Sequence, residues 1–215
     1  MVTNEALVYV QFGCGLCAPR GWRNFDAGPS FWLQHRFPFL TSAVVKRGFP
    51  KYPRNIEFGN IVLGLPIGPE SAHAVYCSHV LEHLTLEEFR CAIRNVHRYL
   101  RTGGHFRLVV PDLEYLAVRY VSSQSVDAAS QFMRDACLGE ESYQRGIPGL
   151  LRAVFGRTRH FWMWDYKGLA RELEDAGFFG IRRAAFGDSD DPRFAEVEEL
   201  VRWENCLGIE CCKRS

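Results

Sequence analysis

Residues 9–26 read YVQFGCGLCAPRGWRNFD. Apolar side chains alternate at Val8, Val10 and Phe12, the period of a strand, and run directly into Gly13-Cys14-Gly15. A glycine pair placed just after a first strand lets the backbone approach a ligand where a Cβ would collide. With Ala18 the spacing becomes GxGxxA, that of a dinucleotide loop. Such a loop needs a helix that opens at the glycines and faces a diphosphate, and an acidic residue about 20 positions farther on. Here Pro19 and Gly21 interrupt any helix, and Asp26, closing a second extended run from Trp22 to Phe25, arrives too soon. Asp26 still has the acceptors to hold both ribose hydroxyls of an adenosine group. The pattern predicts an adenosine ligand without a pyrophosphate; an NAD-binding oxidoreductase is the alternative.

Outward from this loop, strand and helix patterns alternate, which predicts an α/β layer structure with a mostly parallel sheet. Residues 74–78 (AVYCS) read as a short buried strand, and Thr85 with Glu88 forms a capping box for the helix that follows. Phe89, Ala92, Ile93, Val96, Tyr99 and Leu100 recur at helical spacing, and Gly103-Gly104 is expected to end that helix before a strand over 105–110. Pro111 and Asp112 close the strand. Amphipathic stretches over 113–121 and 127–138 then lead through a glycine- and arginine-rich segment to RHFWMWD at 159–165, so that 113–164 is expected to form a helical insertion over the sheet edge. Asp165 is placed to cap a helix carrying Leu169, Leu173 and Ala176 and ended by Gly177. Strands over 181–186 and 206–212 follow, with turn chemistry at 188–192 and a short helix or irregular loop over 195–203.

With 215 residues the chain is expected to form one domain over 1–215. Its 26 lysines and arginines nearly balance 25 aspartates and glutamates, which argues against nucleic acid or an anionic membrane as partner and favours a small molecule. Apolar runs are too short to span a bilayer, so a cytoplasmic location is expected. Eight cysteines scattered through predicted elements read as reduced thiols. Cys14 and Cys17 form a lone CxxC, with Cys206, Cys211 and Cys212 near the end of the chain, but without a second CxxC or an HxxxH pair the expectation is no metal.

Four stretches together resemble the class I S-adenosylmethionine-dependent methyltransferases, in particular small bacterial proteins of that superfamily. FGCG (12–15) resembles the first methyltransferase motif, GWRNFD (21–26) the acidic end of the second strand, CSHVLEHL (77–84) the fourth strand and the helix after it, and RTGGHFRLVVPD (101–112) the approach to the fifth strand. The resemblance implies a Rossmann-like fold whose last strand is antiparallel, and S-adenosylmethionine as cofactor. It implies that Phe12, Gly13, Cys14 and Gly15 line the methionine part, Asp26 the ribose, and Ser78 and His79 the floor near the sulfonium. The acidic residue that usually follows the third strand is replaced by Gly59-Asn60-Ile61, so Asn60 would accept the adenine amino group through its amide oxygen. The polar turn before the fourth strand reads LPIGPESAH (65–73), with Ser71 and His73 in place of the usual residues. A non-catalytic methyltransferase-like scaffold is therefore a further alternative.

The implied reaction is methyl transfer to an oxygen or nitrogen of a small acceptor, such as a sugar or a polysaccharide precursor. Three residues are candidates for removing the acceptor's proton: His79 first, His160 on the aromatic segment second, Asp112 third. Glu82 and His83 are read as part of the helix start. The oligomeric state is left open.

Overall fold

The computed structural model describes residues 7–46, 48–139 and 159–214. Seven strands form one sheet: β1 (Val8–Phe12), β2 (Arg23–Asp26), β3 (Ile56–Phe58), β4 (Ala72–Ser78), β5 (Leu100–Pro111), β6 (Phe178–Ala184) and β7 (Cys206–Lys213). Their spatial order is β3-β2-β1-β4-β5-β7-β6. All neighbours pair parallel except β7, which runs antiparallel to both β5 and β6. The order reverses between β1 and β4, where a crevice opens at the carboxyl ends of the strands.

The central strand β4 is buried at six of seven positions because both faces of the sheet are covered. On one face, α3 (Leu86–Tyr99) lays Phe89, Ala92, Ile93, Val96 and Tyr99 against Val10, Val75, Phe106 and Leu108. Burial of each of the larger of these side chains contributes about 1.5–3 kcal/mol. The helix starts at the Thr85–Glu88 capping box, complete in both directions. Beside it α6 (Tyr166–Asp175) buries Leu169 and Leu173; Asp165 caps it by accepting from the Gly168 amide, and Gly177 follows at φ +95°. The other α-helices among the described residues are α1 (Pro29–Arg36), α2 (Thr41–Lys46), α4 (Leu113–Ser122) and α5 (Ala128–Asp135).

The other face differs from a sheet covered by helices. No helix joins β1 to β2, as Pro19 and Gly21 predict, so Tyr9, Ala74, Tyr76 and Val109 would lie bare. They are covered by the connection between β6 and β7, which packs Phe194, Val197 and Trp203 with Trp22 on them through two 3-10 turns, Pro192–Glu196 and Leu200–Arg202. Arg107 of β5 points to this face and is wholly buried. It donates to Glu198 (2.5 Å), Glu210 (2.5 Å), Asp188 (2.9 Å) and the Ala185 carbonyl (2.6 Å), with its guanidinium 4.6 Å from the Trp203 ring.

Two expected boundaries are corrected. The helix before β5 ends at Tyr99, not at Gly103-Gly104: Leu100 already has extended backbone, and both glycines lie inside β5. Gly103 takes φ +70° there, and a Cβ on Gly104 would sit 2.9 Å from the Arg101 carbonyl and 3.1 Å from that of Ala72, so the pair serves an irregularity in the β4–β5 register. The strand read over 181–186 begins earlier, at Phe178, and ends at Ala184, because Phe178 packs into the core beside Phe106. Of the expected insertion, α4 and α5 are present, and the glycine- and arginine-rich segment at 140–158 lies outside the described residues. All eight cysteines are free thiols. No helix among the described residues is long and apolar enough to cross a membrane.

Candidate active site

The glycine turn sits at the carboxyl end of β1, beside the point where strand order reverses. Gly13 has φ +64°, and a Cβ there would lie 2.1 Å from Val80 Cγ2, so no other residue fits both the backbone and the space. Gly15 has φ +56°. Cys14 packs in a small core with Phe31 and Ile56; burial and then the nearby Asp26 push its thiol up to about 12. This loop offers a ligand its backbone and not a thiolate.

Asp26 ends β2 and is buried. Oδ2 accepts from the Gly15 amide (2.9 Å) and Oδ1 from the Gly28 amide (2.6 Å). One carboxylate thus pins the glycine turn to the start of α1, and each oxygen keeps a second acceptor direction. Asn60 follows β3, and its amide oxygen accepts from the Val62 amide at 2.8 Å. Ile61 is buried in the main core, with its carbonyl bonded by Asn95. Phe12 is also core.

Ser78 ends β4. Its Oγ is buried without a hydrogen-bond partner among the described residues and lines the same crevice as Gln11, Gly13 and Arg202. An orphaned hydroxyl beside a turn that admits only glycine fits a ligand that brings its own polar atoms. Arg202 was not legible as a site residue. The β6–β7 connection carries it over the sheet to the crevice, where its Nη1 lies 3.4 Å from the Ser78 carbonyl and its Nη2 would lie 3.6 Å from a Cβ on Gly15.

Past Ser78 the chain turns sharply. His79 has φ +55°, with Nε2 2.9 Å from the Arg202 carbonyl and Nδ1 3.3 Å from Glu82 Oε1. Burial disfavours charge on its ring, but Cys206, Glu82 and the Arg202 carbonyl outweigh that and raise it to about 10. Glu82 lies in the 3-10 turn Leu81–His83 with 1% exposure. The aromatic segment is tied to this turn: the Phe161 and Trp162 amides both donate to the Glu82 carbonyl, at 2.8 and 3.2 Å. Burial lowers the pKa of His160, whose ring lies 5.0 Å from that of His83. Within the segment, Trp164 is core against Phe89, whereas Phe161 and Trp162 are exposed. Asp112 caps α4 through the Glu114 and Tyr115 amides and faces Arg183 at 3.4 Å. His79 and His160 both neighbour Glu82, whereas Asp112 stands at the end of β5, and each of the three has partners of its own.

A methyltransferase-domain family matches residues 43–108, the stretch from α2 to β5; it does not include the glycine turn or Asp26. No curated protein matches the chain in sequence. Among solved structures, a Thermotoga maritima S-adenosylmethionine-dependent methyltransferase, described as a possible histamine N-methyltransferase, superposes with TM-score 0.52 at 15% identity, covering 96% of this chain and 82% of that one. A Haloferax volcanii complex of the Trm112 methyltransferase activator with a presumed methyltransferase gives TM-score 0.50 at 15% identity, covering 100% and 86%. Haemonchus contortus phosphoethanolamine N-methyltransferase 2, bound to phosphomonomethylethanolamine and S-adenosylhomocysteine, gives TM-score 0.50 at 8% identity; the match covers 97% of this chain and 49% of that one. Strand order and the antiparallel β7 give the chain the fold of the class I S-adenosylmethionine-dependent methyltransferases, and residues 43–108 match the methyltransferase-domain family within it.

Proposed function

We propose that the protein transfers a methyl group from S-adenosylmethionine to an oxygen or nitrogen of a small acceptor, such as a sugar or polysaccharide precursor. The observation that carries this reading is the Gly13–Gly15 turn pinned to Asp26 at the strand-order reversal, with no helix after β1. A dinucleotide would need that helix to face its diphosphate, which disfavours the NAD alternative.

The cofactor supplies a methyl group already made electrophilic by its sulfonium. The chain's task is to hold that group and an acceptor in line. Asp26 would accept from the ribose hydroxyls through its free acceptor directions, and Asn60 from the adenine amino group. The amides of the glycine turn and the Arg202 guanidinium would hold the amino-acid end. Ser78 and His79 would form the floor. Of the three candidate bases, Asp112 is taken up by its cap and Arg183, and His79 by the Arg202 carbonyl and Glu82. His160, carried on the aromatic segment, is the one we assign to the acceptor's end of the site. The test is a screen of candidate acceptors for release of S-adenosylhomocysteine. Activity on one acceptor class supports the reading, and cofactor binding with no turnover on any acceptor would favour the scaffold alternative.

A further inference from the structure

Glu82 is 1% exposed, and neither of its carboxylate oxygens is hydrogen-bonded among the described residues; His79 Nδ1, at 3.3 Å from Oε1, is not aligned for a bond. A dry carboxylate with unbonded oxygens is costly, and the neighbouring His79 ring gives neither oxygen a hydrogen bond. Two further imidazoles, those of His83 and His160, face it. One ligand atom each from Glu82, His83 and His160 lie within 4.8 Å of one another. His83 Nδ1 lies 3.0 Å from the Arg159 carbonyl, an acceptor only, so Nδ1 carries a proton and, in the neutral ring, Nε2 presents its lone pair 3.8 Å from Glu82 Oε1. A lone pair turned on a carboxylate is repulsive unless a cation sits between them. A histidine whose other ring nitrogen donates to a backbone carbonyl is the arrangement seen at metal ligands. His160 Nδ1 contacts the thioether of Met163, a weak acceptor, at 3.2 Å.

We propose that Glu82, His83 and His160 bind a divalent transition-metal ion, with His79 orienting Glu82 from behind. Two imidazoles and one carboxylate suit Zn²⁺ or its neighbours and not Mg²⁺, and leave a coordination position open. Donors about 2.0–2.2 Å from such an ion lie roughly 3–3.5 Å apart, so the cluster contracts slightly on binding. The proposal departs from the expectation of no metal and makes His160 a ligand in place of a free base. The ion would take the acceptor's oxygen or nitrogen and ease loss of its proton; that role, unlike the site, rests on the methyl-transfer reading.

The test uses Co²⁺ as the only added ligand on protein stripped with a chelator. The expected result is one Co²⁺ per chain with ligand-field absorption, no thiolate-to-cobalt band, and displacement by Zn²⁺. His83→Ala and His160→Ala should each weaken binding about 100-fold or more, and His79→Ala about 10-fold. Glu82→Gln, which keeps the packing, should abolish the rise in melting temperature that Zn²⁺ gives the unaltered chain. A thiolate band, affinity unchanged in the His83/His160 double variant, or no binding at millimolar Co²⁺ would overturn the proposal and leave Glu82 as the structural partner of His79. S-adenosylmethionine binding, measured on the same stripped protein, reports on the cofactor reading separately.

Discussion

The Gly15 amide donates to Asp26 Oδ2 at 2.9 Å, joining the ends of β1 and β2 across a connection that holds no helix. The other carboxylate oxygen holds Gly28 at the start of α1. The turn that carries the proposed cofactor site is thus shaped by the residue that would also hold the ribose.

Gly13→Ala tests the turn itself. It puts a methyl group on Val80 and a side chain at φ +64°. The backbone term alone costs about 1–2 kcal/mol. A drop of several degrees in melting temperature together with loss of cofactor binding is expected. An unchanged melting curve would show that the turn is not held as described.

The Arg107 cluster makes stability depend on acid. Burial alone would raise the carboxyls of Glu210 and Asp188, but His105 and Arg107 hold Glu210 low, and Arg182, the Ala185 amide and Arg107 bring Asp188 to about 2. With folded values below unfolded ones, their stabilisation is complete above the ordinary carboxyl pKa of about 4 and is lost as pH falls toward about 2. Urea midpoints should fall steeply across that window, and Asp188→Asn should flatten the slope.

His105 has the opposite sign. Cys212 and Glu210 raise it to about 10 against burial, so its contribution is full below the unfolded value of about 6.5 and disappears as pH rises through about 10. His105→Gln should flatten the alkaline side of the same urea profile and, because His105 also holds Glu210 low, soften the acid side without removing it.

Truncating the buried cation is more severe. Arg107→Met strips Glu198 and Glu210 of the buried cation they share, which should cost about 3–5 kcal/mol. Thr85→Ala, by contrast, removes only the capping box of α3 and should cost about 1 kcal/mol. Chemical denaturation of both variants checks the ratio.

Local chemistry made much of this fold legible. Proline and glycine after Gly15 excluded a helix, Thr85 and Glu88 set the start of α3, and Asp165 and Gly177 bounded α6. Gly103-Gly104 misled because an αL glycine serves a strand irregularity as well as a helix end. What sequence could not convey was long-range. Arg202 reaches the crevice only because the β6–β7 connection replaces a missing helix, which no local pattern announces. Glu82 and His83 stood in plain view within HVLEHL, but read as a helix start until the fold brought His160 beside them from a segment distant in sequence.

Isothermal titration of the chain with S-adenosylmethionine and, separately, with NAD addresses the central claim most directly. Saturable binding of S-adenosylmethionine at one site, no heat with NAD, and a loss of about 1.5–3 kcal/mol in Asp26→Ala are expected. Tight NAD binding without a response to S-adenosylmethionine, or undiminished affinity in Asp26→Ala, would contradict the account.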